Sequence, residues 1–153
     1  MNQFSKQHSA RRKGVETITK AQYKSYNKKT KYGAKKVKSN GKTYDSGLEK
    51  CVANELEFRK KAKEITFIQE QFPVTHYLNG HKIGKNIIDF KCDLPDGRIM
   101  FVEAKGAETP RFRILKQMHI ANLDKLYPDC EYWLVKGSCS RLIWLQIKLV
   151  KSA

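Results

Sequence analysis

Three carboxylates in this chain, Glu49, Asp89 and Glu103, stand at positions where solubility does not call for an acid. Asp89 lies between Ile88 and Phe90 in a run that reads as buried, and an unpaired carboxylate inside a core is costly. Glu103 follows Met100-Phe101-Val102, and Lys105 comes two residues later, so both side chains leave the same face of an extended strand. Asp89 and Glu103 are nearly symmetric about residue 96 in the turn Pro95-Asp96-Gly97-Arg98. A hairpin paired across that turn brings them together near its open end. Two carboxylates converging beside a lysine make a site for a hard divalent cation, Mg²⁺ or Mn²⁺, which takes oxygen ligands and retains water. Such ions stabilise the attacking and leaving oxygens of phosphodiester hydrolysis. Lys105 would then orient the nucleophile or stabilise negative charge on the scissile phosphate. On spacing alone the same residues also make a structural salt bridge, and both readings stand.

The elements that must position these residues follow from local pattern. Asp45-Ser46-Gly47-Leu48-Glu49 offers a cap, and Leu48, Val52 and Leu56 recur at helical spacing, which predicts a helix over about 46–63. Ser46-x-x-Glu49 has capping-box spacing, a structural role for Glu49 beside the metal role. Ile65 to Val74 is rich in β-branched and aromatic residues, with Pro73 expected to interrupt or end the strand. A second extended piece at His76 to Leu78 leads into Asn79-Gly80, a hairpin turn. His76 and His81 flank that turn and read as surface. Ile87 to Cys92 and Ile99 to Ala104 read as antiparallel strands around the turn at 95–98. Thr109-Pro110 opens a second helix over about 110–126, with an apolar set of Phe112, Leu115, Ile120, Leu123 and Leu126. Glu131 to Lys136 and Leu142 to Val150 complete the strands, with Trp133 and Trp144 in apolar patterns that suit the core. The expected class is α/β, a central mixed β-sheet flanked by helices.

Charge divides the chain. It carries 31 Lys and Arg against 15 Asp and Glu over 153 residues, a formal net charge of +16. Residues 1–45 hold 13 of the Lys and Arg against only Glu16 and Asp45. Residues 1–43 are therefore read as a basic, flexible arm and 44–153 as the folded domain. Across residues 1–45 Tyr23, Tyr26, Tyr32 and Tyr44 are spaced among Lys20, Lys24, Lys28, Lys29, Lys31, Lys35 and Lys36, a composition too apolar-poor for a core of its own. Lysines release counterions from a phosphate backbone and tyrosine rings stack on bases, so a nucleic acid is the expected partner. A solubilising or targeting tail is the competing reading. Further phosphate contacts are expected from Arg111, Arg113, Lys116 and His119 on the second helix. Gln69 and Gln71 either approach the site from the adjoining strand or are plain edge-strand polar residues. No stretch is apolar enough to span a membrane and the basic start has no apolar signal core, so a cytoplasmic protein is expected, in a bacterial host cell if phage-encoded. Cys51, Cys92, Cys130 and Cys139 match neither paired zinc spacing nor a disulfide framework, and four reduced thiols are expected. No phosphate-binding loop or dinucleotide fingerprint occurs.

Taken in order, Asp45-Ser46-Gly47-Leu48-Glu49-Lys50, Ile87-Ile88-Asp89-Phe90 and Phe101-Val102-Glu103-Ala104-Lys105-Gly106 resemble the PD-(D/E)xK nuclease superfamily. In particular the set is similar to phage endonuclease I type Holliday junction resolvases, with an S-G-L-E helix start, a D-F strand and a V-E-x-K-G strand. Tyr32-Gly33-Ala34-Lys35-Lys36 followed by Gly41-Lys42-Thr43-Tyr44-Asp45-Ser46 is also similar to small phage nuclease-like proteins. The resemblance covers about residues 32–127. It implies a restriction-endonuclease-like core, Asp89 and Glu103 as principal ligands of Mg²⁺ or Mn²⁺, and the Ala104 carbonyl as a further ligand. It also implies Glu49 as an additional ligand or holder of a metal-bound water, and Lys105 as the catalytic lysine. Ile88 replaces the superfamily's proline before the aspartate. The implied activity is that of an endodeoxyribonuclease selective for branched DNA such as a Holliday junction, working as a homodimer in phage or mobile-element DNA recombination. A non-catalytic nucleic-acid binder, with Asp89, Glu103 and Lys105 as an internal ion-pair network, is the reading from another class.

Overall fold

The computed structural model describes residues 35–152. Lys28, Lys29, Lys31, Tyr23, Tyr26 and Tyr32 lie outside the described residues. A short hairpin comes first, β1 (Val37–Ser39) and β2 (Lys42–Tyr44), turning at Asn40-Gly41, where both residues take positive φ. Residues 37–43, read from composition as arm, thus carry regular structure. The turn dipeptide nucleates the pairing, and a Lys42–Glu70 ion pair of 2.7 Å ties the hairpin to the main sheet.

α1 (Gly47–Lys61) begins where the cap predicts. Ser46 Oγ accepts from the Glu49 N–H at 3.1 Å, and Glu49 reaches back to accept from the Asp45 N–H at 2.9 Å, two orphan donors satisfied reciprocally. Arg59, Lys60 and Lys61 sit in its last turn, favourable at the negative end of the helix dipole.

The main sheet contains β3 (Phe67–Leu78), β4 (His81–Asp93), β5 (Ile99–Ala104), β6 (Glu131–Ser138) and β7 (Arg141–Ile147), ordered β3-β4-β5-β6-β7. β5 and β6 are parallel, joined by α2 (Pro110–Leu126), and the other neighbours are antiparallel. The protein is therefore α/β with a mixed five-stranded sheet and two helices. Val52 and Leu56 of α1 pack with Phe90, Val102 and Val135, while Leu123 of α2 packs with Phe101 and Tyr132. Phe101 and Val102 are consecutive strand residues, so the two helices cover opposite faces.

Three expectations are corrected. Pro73 does not end β3, because β3 is an edge strand and a missing N–H is tolerated there. Leu126 is 39% exposed, while His119 is buried, so the inward line of α2 is Phe112, His119 and Leu123. Buried Asp124 holds the chain's end instead, accepting from Lys151 Nζ at 2.8 Å and the Ser152 N–H at 2.9 Å. Cys51 and Cys139 are not free thiols: the start of α1 packs against the β6–β7 turn, their Cα atoms come within 5.4 Å, and they form a disulfide. Their separation of 88 residues is invisible to any spacing rule. Cys92 and Cys130 are free and buried. Among the described residues no helix is long and apolar enough to cross a membrane.

Candidate active site

The hairpin around residues 95–98 sets the geometry. β4 and β5 pair Phe90 with Val102, Lys91 with Phe101, and Cys92 with Met100. One step further in the same register puts Asp89 opposite Glu103. On the other side of β4, Glu70 pairs with Phe90 and Phe72 with Ile88, which leaves Gln71 opposite Asp89. Gln71, Asp89 and Glu103 therefore form one row across three strands.

That row is irregular. Gln71 has φ of 53°, in the left-handed region. Phe90 packs in the α1-side cluster whereas Ile88 packs in the α2-side cluster, although strict alternation would put both on one face. The break in phase falls at Asp89, which lets neighbouring strand residues serve both cores while the carboxylate sits between them.

Each acid is held differently. Asp89 Oδ2 accepts from the Ala104 N–H at 2.8 Å, which keeps the carboxylate aimed at β5. Glu49 Oε1 accepts from Gln71 Nε2 at 2.9 Å and its Oε2 from the Asp45 N–H, so α1 and β3 are joined through this side chain. Glu103 is 2% exposed, its Oε1 stands 3.4 Å from Lys105 Nζ, and its Oε2 is buried with no partner. Burial, then the neighbouring Asp89 charge, pushes the Glu103 carboxyl up from the ordinary carboxylate range. Asp89 is raised by burial against the opposing pull of Lys105 and the Ala104 N–H. Glu49 is raised by burial first and by Asp89 second. The three acids thus share one electrostatic site short of positive charge, with Lys105 as its nearest cation.

A cleft of about 450 Å³ opens at Glu103 and Lys105, lined also by Lys85, Asn86, Arg111 and Phe112. Lys105 Nζ lies 5.1 Å from the Phe112 ring centroid, a cation–π contact that holds the ammonium at the rim. Lys85 and Arg111 make no ion pair among the described residues and bring positive charge to this opening.

The expected phosphate contacts separate. Arg111 reaches the cleft, Arg113 is exposed on α2 outside it, and Lys116 is committed to Glu108 at 2.6 Å, which also holds Lys136 at 2.6 Å. His119 is fully buried and faces the core, so it is not a phosphate contact. His76, expected at the surface, is fully buried too, because the β3–β4 hairpin extends past it and α2 packs over it. Lys35 and Lys36 are exposed, with Lys36 3.5 Å from Asp45. Of the two glutamines weighed for the site, Gln71 reaches it from the adjoining strand through Glu49, whereas Lys85 and Asn86 were missed from sequence. Trp133 and Trp144 pack edge to face at 6.4 Å beside the α1-side core, as expected.

Among the described residues no three His, Cys, Asp or Glu side chains stand together as a metal-ligand set. A hard cation nevertheless suits the Asp89–Glu103 pair: the Asp89 charge helps to push the Glu103 carboxyl up, and Glu103 Oε2 is a buried acceptor without a donor. Glu49, with both oxygens already accepting, suits the holding of water better than direct ligation.

The sequence profile of a family described as "Protein of unknown function (DUF1064)" matches residues 29–140. No curated protein matches the chain. A solved structure titled "Crystal structure of SSO0001" is similar at a TM-score of 0.39 and 14% identity, over 69% of this chain and 52% of that one. The chain thus spans about half of that protein's length, and a likeness this slight carries no argument.

Proposed function

The chain belongs to the DUF1064 family, and for it we propose a metal-dependent endodeoxyribonuclease that hydrolyses phosphodiester bonds, selective for branched DNA in the manner of Holliday junction resolvases. The observation that carries this reading is the Asp89–Glu103 row with Lys105 beside Glu103, where Glu103 and Lys105 line a cleft that also presents Lys85 and Arg111. The motif order and the sheet with α1 and α2 on opposite faces suit a restriction-endonuclease-like core.

Asp89 and Glu103 would hold Mg²⁺ or Mn²⁺, with the Ala104 carbonyl as a further oxygen. When bound, the ion lowers the pKa of its water and stabilises charge on the transferring phosphoryl group. The protein's own groups do the rest. Lys85 and Arg111 draw the phosphodiester into the cleft. Lys105, fixed over Phe112, stabilises negative charge on the scissile phosphate. Glu49, braced by Gln71 and Asp45, holds an attacking water in place. Cutting both strands of a junction needs two such sites, and a homodimer supplies them.

The Lys105–Glu103 contact of 3.4 Å favours a second reading, a non-catalytic nucleic-acid binder in which this ion pair is structural. One experiment separates the two. Labelled four-way junction, nicked duplex, linear duplex and single strand are incubated with Mg²⁺, Mn²⁺ or chelator, using wild type and Glu103→Ala. Metal-dependent junction cutting, lost in the variant by at least about 100-fold, is expected. Tight binding with no cutting would establish the binder instead, and equal cutting of all substrates would remove the junction preference.

A further inference from the structure

The β3–β4 hairpin reaches beyond the sheet it belongs to. β4 pairs with β5 over Phe90–Asp93, whereas β3 and β4 stay paired out to Leu78 and His81. The outer part, residues 73–87, is therefore a two-stranded ribbon. Its two faces differ. Val74 and His76 of β3 are buried on the α2 side, opposite Asn86 and Gly84 of β4. Alternation sends Pro73, Thr75 and Tyr77, with their partners Ile87, Lys85 and Lys82, to the other face. Five of those six residues are exposed, Tyr77 at 45% and Ile87 at 52% among them.

The chemistry of this outer face is one-sided. No Asp or Glu occurs from Gln71 to Ile88. Lys82 and Lys85 make no ion pair among the described residues. A second copy of the face laid against it would bring together two lysines from each chain and no acid, a like-charge contact, whereas a phosphate backbone complements them. Lys85 and Ile87 also line the cleft at Glu103 and Lys105, so the face is continuous with the candidate active site. Tyr77 lies two strand residues past Thr75, the partner of Lys85, and so about 7 Å further out along the ribbon.

We propose that this outer face reads the branch point of the DNA: Lys85 and Lys82 hold phosphates of the strand leaving the cleft, and Tyr77 stacks on a base that branching has left uncovered. The inference rests on the nuclease reading of the cleft and adds to it the feature of the substrate that is recognised. Phosphate contacts position a nucleic acid, and a ring that stacks only where a base lies open adds discrimination of its shape. A duplex arm then binds through the lysines alone, and a junction through the lysines and the ring.

Binding is measured apart from cutting. Full-length protein in chelator is titrated by anisotropy with labelled four-way junction and with linear duplex, and by fluorescence with a junction carrying 2-aminopurine at the branch. Tyr77→Ala is expected to bind the junction about 10-fold more weakly and the duplex as wild type does, with Tyr77→Phe matching wild type on both. Wild type and Tyr77→Phe should quench the 2-aminopurine, and Tyr77→Ala should not. Lys82→Gln should weaken junction and duplex alike, and make the slope of log affinity against log salt shallower by about one. Unchanged junction affinity and quenching in Tyr77→Ala would overturn the docking surface and leave metal-dependent cutting untouched. An equal loss on junction and duplex would overturn the reading of the branch. A dimer that dissociates in Tyr77→Ala, with DNA affinity unchanged, would assign the face to a second copy instead. Loss of junction preference in Tyr77→Ala, in a protein whose wild type cuts nothing with Mg²⁺, would keep the surface and remove the nuclease.

Discussion

Glu103 is held at a cost. Its carboxyl is buried, faces the charge of Asp89, and leaves Oε2 unpartnered. A carboxyl with a raised folded-state pKa contributes stability at pH below its unfolded value, and that contribution is lost as pH rises through the folded value. At neutral pH and in chelator, Glu103→Gln should therefore be more stable than wild type by about 1 kcal/mol or more, and on the proposed nuclease reading it should not cut. Urea unfolding with and without Mg²⁺ reads this directly: Mg²⁺ should stabilise wild type and leave the variant unmoved. The buried histidines act in the opposite pH direction. Burial first, and the neighbouring His76 second, push His119 down to about 3, and burial lowers His76. The unfolded chain takes up these protons near pH 6.5 and the folded chain does not, so stability falls as pH drops from about 6.5 towards 3. His119 contributes up to about 1.4 kcal/mol per pH unit there, and His119→Gln should flatten the stability–pH curve in that window by its share.

At the scale of elements, α1 is fastened at its start in three ways: the Ser46–Glu49 cap, the Glu49–Gln71 hydrogen bond, and the Cys51–Cys139 disulfide to the β6–β7 turn. Because the cross-link closes 88 residues, its removal frees much unfolded-state entropy, and Cys51→Ser should lower stability by about 2–5 kcal/mol in denaturant titrations. Reduction of wild type should reproduce the loss, and should not add to it in the variant. The cap and the two hairpin turns around β4 were legible because each is written within a few residues. The row of Gln71, Asp89 and Glu103 was legible only on its β5 side. Counting from Asn79-Gly80 fails by one residue, since the register shifts between His76 and Tyr77. That slip would set Gln71 opposite Ile88 and hide its place beside Asp89.

For the whole molecule, the uneven charge should govern how it meets a polyanion. Nine Lys and Arg lie in residues 1–31. If they contact phosphates, deleting residues 1–31 should make the slope of log affinity against log salt shallower by up to about 8, measured by anisotropy with junction DNA between 50 and 200 mM salt. An unchanged slope would remove the arm from the binding surface. Composition, capping, turn chemistry and alternation determined the α/β class, most element boundaries, and the facing of Asp89 and Glu103, because all of these act over neighbouring residues or across one tight turn. Tertiary packing alone decided the rest. The Cys51–Cys139 bond, the capture of Glu49 by Gln71, the diversion of Lys116 to Glu108 and the meeting of His76 with His119 join residues 8 to 88 positions apart. Nothing local announces which partner each of those side chains takes, and only the closure of helices over the sheet brings them into contact.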